Sequence, residues 1–238
     1  MANVYAGTSG WSYPQWKPKF YPAKLASAKF LSYYASRLNS VEVNYTFRRL
    51  PTESLLARWI SATPEEFKFA VKAHQMITHI KRLKDAGEWV ARFVDSVKLL
   101  HQANRLGPVL FQLPPYLKCD VELLTTFLGE IPPTVRAAFE FRHESWFCDE
   151  VFAALRAKNA SLCEAESDKL ETPNAETADF SYLRLRKESY SAKARETIAK
   201  RTKQLARVGD VFVYFKHEDT PEGALYAEAL LGTFETIS

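Results

Sequence analysis

The 238-residue chain carries 32 Lys and Arg against 28 Asp and Glu, a formal charge of +4, with 47% hydrophobic and 25% charged residues. Those proportions exclude a disordered, collagenous or disulfide-dense chain, and the charge is too weak to demand a nucleic-acid partner. Cys119, Cys148 and Cys163 are odd in number and form no Cys-x-x-Cys pair, which sets aside a disulfide framework or a zinc knuckle. The first residues form no secretory leader pattern, and no apolar run reaches the roughly 18 residues of a membrane span. The expectation is a soluble cytoplasmic protein with no membrane partner.

In chain order, residues 4–8 form a short apolar strand that ends in Gly7-Thr8-Ser9-Gly10. Leu25, Phe30, Leu31, Tyr34 and Leu38 recur near helical spacing and predict a helix over 22–38. A strand follows at 40–44, a helix at 51–60 with Thr52 as its N-cap, and a strand at 67–72. The longest helical pattern covers 87–106, stopped by Gly107-Pro108. A strand at 109–113 ends at Pro114-Pro115, and Asp120 caps a helix at 120–128. Strand 136–142 alternates Phe139 and Phe141 with Glu140 and Arg142, and a helix at 149–158 follows. Strand 161–166 leads into the longest uncertain loop, 167–179. Strand 182–186, helix 192–207, strand 210–216 and helix 221–231 complete the chain; Thr220 caps the last helix, with Pro221 at its first position.

Eight strands, each taken to be followed by a helix, argue for a parallel sheet, and eight units in this length argue for a closed (β/α)8 TIM-like barrel. The runner-up is an open doubly wound sheet. With no internal repeat or linker, residues 1–238 form a single domain in this reading.

The polar strand faces carry the site. Glu42 and Asn44 share a face, as do Lys68 and Lys72, Glu164 and Glu166, Arg184 and Arg186, and Tyr214 and Lys216; Gln112 and the Glu140/Arg142 pair add two more. In a barrel with helices outside, those faces point into the lumen and gather at the strand C-termini, where barrel enzymes carry their sites. The inferred mouth holds five cations, Lys72, Arg142, Arg184, Arg186 and Lys216, against four acids, Glu42, Glu140, Glu164 and Glu166. A self-balancing ion-pair network is the structural alternative. So many unlike charges at one end, however, favour a ligand. Cys163, alternating with Glu164, is placed on the helix side.

A resemblance supports this. Gly7-Thr8-Ser9-Gly10-Trp11 with Tyr13, Trp16 and Phe20-Tyr21-Pro22 begins the pattern. It continues through Val41-Glu42-Val43-Asn44 with Thr46-Phe47 and Pro51, then Thr63-Pro64, Phe67-Lys68-Phe69 with Lys72, and Ile77-Thr78-His79. Gly107-Pro108, Gln112-Leu113-Pro114-Pro115 and Glu140-Phe141-Arg142-His143 with Ser145-Trp146 complete it. Across nearly its whole length the chain resembles the YecE-like family, domain-of-unknown-function family seventy-two. The resemblance implies a TIM-like barrel and no settled activity. The chain departs from the pattern at Arg186 and Lys187, where His and Gly are expected after an Arg-Leu pair. It departs again at Lys216 and His217, where Asn is expected, and at Glu166, where Asp is expected.

The chemistry expected is acid/base work on a small anionic or polyhydroxylated ligand such as a sugar or a phosphate ester. Glu140 and His143 are the proton-transfer candidates, with Glu42 as second carboxylate and Lys72 beside them. Lys72, Arg142 and Arg184 clamp anionic oxygens, with Arg186, Tyr214 and Lys216 also lining the ligand. Asn44 and Gln112 orient hydroxyls, and Trp11, Tyr13 and Trp146 offer stacking faces, although loop packing is the commoner role of such aromatics. A divalent-metal hydrolase or isomerase using Glu42, Glu140, Glu166, His79, His143 and His217 is a minority reading. Neighbouring cations repel a metal and no His-x-x-x-His spacing occurs, so no cofactor is assigned. Nucleic-acid binding is the other minority reading: residues 184–207 hold nine basic residues against Glu188 and Glu196.

Overall fold

The computed structural model describes residues 2–166, 170–216 and 219–235. Eight strands, β1 (Val4–Thr8), β2 (Ser40–Val43), β3 (Lys68–Lys72), β4 (Leu106–Gln112), β5 (Ala137–Glu140), β6 (Ser161–Ala165), β7 (Phe180–Leu185) and β8 (Asp210–Phe215), pair in parallel in the order β1-β8-β7-β6-β5-β4-β3-β2. Around them lie α1 (Phe30–Ala35), α2 (Glu53–Ser61), α3 (Gly87–Ser96), α4 (Lys98–Gln102), α5 (Val121–Glu130), α6 (Asp149–Ala157), α7 (Ala192–Leu205) and α8 (Glu222–Glu235). This is a nearly closed (β/α)8 TIM-like barrel. Side chains at the helix N-termini hold the caps: Thr52 Oγ1 accepts from Leu55 N, Asp120 Oδ1 from Leu123 N, and Ser191 Oγ from Ala194 N.

The seam between β1 and β2 closes differently from the other junctions. Its backbone contact is a bridge between Ser9 and Glu42, with Gly10 N donating to Glu42 O at 2.9 Å. Side chains complete it. Asn39 accepts from Ala6 N and donates to Val4 O, and the Tyr34 hydroxyl accepts from Thr8 N at 2.8 Å. Gly7 makes the approach fit, since a Cβ there would stand 1.9 Å from Ser40 O.

Two apolar layers result. Outward strand residues such as Phe111 and Phe139 pack edge-on against Phe127 of α5. Inward residues Ala70, Leu110, Ala138, Cys163, Tyr182 and Tyr214 fill the lumen above Phe180 and Phe212, with Tyr5 stacked on Phe212 at 4.7 Å. This packed plug forces the polar groups to the strand C-termini.

Several expectations need correction. The first helix is short because Ala26 is extended (ψ 141°), so 22–26 does not join it. The 87–106 pattern breaks at Val97 into α3 and α4. Gly107 and Pro108 sit inside β4, not after a helix, and Gly107 lets β4 press on β3: a Cβ there would meet Ala70 N at 3.2 Å. Among the described residues no helix lies between β6 and β7. The loop there is tied down by Thr177, whose hydroxyl donates to Ala160 O and accepts from Leu162 N, and by Thr172 on Ala165 O.

Candidate functional site

The barrel mouth is organised by Arg184 on β7, which is buried between two carboxylates. Its Nη2 donates to Glu42 Oε1 at 2.7 Å and its Nη1 to Glu140 Oε2. Glu42, at the end of β2, also accepts from Ser9 Oγ at 2.7 Å and from the Tyr182 hydroxyl at 2.8 Å. Glu140, at the end of β5, accepts from Gln112 Nε2 (2.8 Å), Arg142 Nε (2.9 Å) and Arg186 Nη2 (3.0 Å). Lys72 closes the chain by donating to Gln112 Oε1 at 2.6 Å, with its ammonium 4.1 Å from the centroid of the Phe47 ring.

This arrangement fixes the protonation states. Burial alone would raise both carboxyl pKa values, but the neighbouring guanidiniums outweigh it: Arg184 and two hydroxyls for Glu42, and Arg184, Arg186, Arg142 and Gln112 for Glu140. Both are held below the usual carboxylate range. Lys72 moves the other way for an amine. Burial and the adjacent Arg184 lower it to about 8, despite the attraction of Glu42 and Glu140. Burial, with Lys72 and Arg142 nearby, also lowers His79, whose ring meets Phe47 edge-on.

Beside the cluster a cleft of about 1050 Å³ opens between β5, β6, β7 and α7. Glu140, Arg142, His143 and Arg186 lie along it, as do Leu183, Leu185 and Ile198. Nε of Arg186 and Nε of Arg184 are buried with no hydrogen-bond partner among the described residues.

The structure therefore brings together Glu42, Lys72, Gln112, Glu140, Arg142, Arg184 and Arg186. Other expected residues fall elsewhere. His143 stands at the cleft rim with Nδ1 on Ser145 Oγ at 2.8 Å. Trp146 is fully buried, stacked on Phe141 and bonded through Nε1 to Leu117 O, so it packs a loop. Tyr13 bonds Ser9 O and lies on Trp16, and Trp11 meets Trp59 edge-on. Tyr214 lies below the cluster with its hydroxyl 2.6 Å from Ser40 Oγ. Asn44 caps the turn Tyr45–Phe47 through its backbone carbonyl, and Lys216 is exposed just past β8. Cys163 and Glu164 reverse the expected faces: Cys163 fills the lumen, while Glu164 points outward to Arg201 of α7. Glu166 leaves the cluster too, accepting from the Tyr190 hydroxyl and from Arg186 N. Ser9 and Tyr182 were missed; Tyr182 shares the alternating face of Arg184, which was the available signal. Of the proposed metal ligands, His217 lies outside the described residues. Among those described, no group of three or more His, Cys, Asp or Glu is placed to hold a metal ion.

A parallel eight-stranded barrel with its polar cluster at the strand C-termini defines a TIM-like barrel protein with a charged mouth. Residues 5–237 match the family described as protein of unknown function DUF72, and the chain belongs to that family. It is 34% identical over 155 residues to the UPF0759 protein YunF of Bacillus subtilis, covering 60% of this chain and 52% of that protein. It is 30% identical over 145 residues to the UPF0759 protein YecE of Escherichia coli, covering 60% of this chain and 50% of that one. The chain thus spans about half the length of the curated relatives it matches. A DUF72 family protein from Thermotoga maritima superposes with a TM-score of 0.87 at 28% identity over 98% of this chain and 99% of that one. D-psicose 3-epimerase of Clostridium cellulolyticum (TM-score 0.50) and an AP endonuclease of Brucella melitensis (0.56), each 9% identical, share the fold alone. Among the described residues no helix is long and apolar enough to cross a membrane.

Proposed function

We propose that the mouth binds a small ligand through an anionic group, a carboxylate or phosphate on a sugar or organic acid, and that Lys72 is the group that exchanges a proton there. The observation that carries this is the surplus of cationic donors. Arg142, Arg184, Arg186 and Lys72 surround two carboxylates. Arg186 Nε is left buried without a partner among the described residues. Buried N–H groups are rarely unsatisfied, and guanidinium forks match anionic oxygens. Glu140 and Glu42, held as fixed anions, position the arginines and do not take up protons. A group nearer neutrality suits proton exchange, and Lys72 at about 8 is such a group.

The test is isothermal titration with inorganic phosphate, sugar phosphates and organic acids. Arg142→Ala should cost at least tenfold in affinity. Affinity of the wild type should fall as pH rises through about 8, where Lys72 loses its charge, and Lys72→Met should remove that dependence. No binding of any of these anions by the wild type overturns the reading. The basic α7 gives nucleic-acid binding a weaker footing. Arg201 is engaged by Glu164, Lys200 by Glu196, and Arg195 lies over the Tyr226 ring.

A further inference from the structure

We infer that the ligand carries an apolar or aromatic body attached to a single anionic group, and that this body lies in the side cleft between β6 and β7, where no helix lies among the described residues. The inference rests on the anion-binding reading of the mouth and adds the class of ligand.

In a TIM-like barrel the outward residues of each strand pack under a helix. Here β6 and β7 have no helix between them among the described residues, and the chain returns along the loop held by Thr172 and Thr177. The outward side chains Leu183 and Leu185 therefore form a cleft wall, with Phe141 on one side and Ile198 of α7 on the other. The cleft is continuous with the charged mouth, since Glu140, Arg142 and Arg186 lie along the same space. At about 1050 Å³ it is at the upper end of the range for small-molecule sites and larger than a sugar phosphate needs.

Its charges fall into three groups. Beside the mouth cluster, where Arg186 Nη2 donates to Glu140, Arg186 Nε is buried with no partner among the described residues. Two further acids of the lining are already paired: Glu164 with Arg201, and Glu166 with Lys187. Glu144 and Glu171 are exposed. An anion is favoured beside Arg186, an uncharged apolar body suits the lining whose charges are already paired, and a second anionic group near Glu144 or Glu171 meets like charge. A monoanionic head with an apolar body fits all three groups, whereas a bisphosphate does not.

The test compares glycerol phosphate, phenyl phosphate, naphthyl phosphate and a linear alkane bisphosphate by isothermal titration at constant salt. Naphthyl phosphate should bind at least tenfold more tightly than glycerol phosphate, and the bisphosphate no more tightly than phenyl phosphate. Thr197→Trp, a change at an exposed position of α7 beside the cleft, should shrink the tenfold advantage to less than threefold. Ile198→Gln should do the same, and provides the test if the tryptophan variant does not fold. If the wild type binds glycerol phosphate and naphthyl phosphate equally, or if both variants keep the full advantage, this inference is overturned while the anion site stands. If none of the phosphates binds, this inference falls; if the organic acids fail as well, the anion site falls with it.

Discussion

Arg184 illustrates how one residue sets the character of the site. It is buried, its charge is balanced by Glu42 and Glu140, and burial is outweighed by those two carboxylates so that its pKa rises. Removing one partner of such a group is costly because the others stay buried without compensation. Arg184→Ala should therefore lose about 3–5 kcal/mol of stability, measured by urea unfolding. Glu140→Gln belongs to the same class: it neutralises the carboxylate that three guanidiniums share. Arg142 is the separable member, partly exposed and bonded to the cluster through Nε. Arg142→Ala should stay within about 1 kcal/mol of the wild type, so its effect on binding can be assigned to the ligand.

At the level of the elements, Gly7 shows how closely β1 and β2 approach. Gly7→Ala places a Cβ against Ser40 O and the Tyr34 hydroxyl. It should cost about 1–3 kcal/mol or more, read as a drop in Tm, by forcing the strands apart. Six strands, β2 to β5, β7 and β8, were legible in phase because polar and apolar side chains alternate along them: Tyr182 and Arg184 inward, Leu183 and Leu185 outward. On β6 the same logic failed. Its lumen face is built of small groups, Ser161, Cys163 and Ala165, and its outward Glu164 is met by Arg201 of α7. A charge that normally signals an inward face is here an outward one paired with Arg201 of α7. The placement of Gly107 inside β4 depended on contact with β3, which periodicity along one segment does not contain. The pairing of Glu42 with Arg184 was foreshadowed as a shared end of the barrel; that both Glu140 oxygens would be consumed by arginines was not, since it needs distances.

For the molecule as a whole, buried carboxylates tie stability to acid. Glu42, Glu140 and Asp210 all have pKa values lowered in the folded state, the last because Arg136 and Asn3 outweigh its burial. Such groups contribute stability that is complete above their unfolded values, about 4, and is lost as pH falls toward the folded ones. Tm should hold from pH 7 to about 5 and fall steeply below about 4. Lys72 adds a slope of the same sign in a second window on the alkaline side: with its folded value lowered to about 8, stability rises as pH climbs from there toward 10.4, its ordinary value. The seam between β1 and β2 has a further consequence, in time. A junction held by one bridge and the side chains of Asn39 and Tyr34 has a short ladder to break, so it should open more readily than the longer ladders such as β1–β8. Ser9 and Gly10 belong both to that junction and to the shell of Glu42. Each opening therefore releases one wall of the charged cluster, and an occupied mouth should slow deuterium uptake at the Gly10 amide, which donates to Glu42 O across the seam.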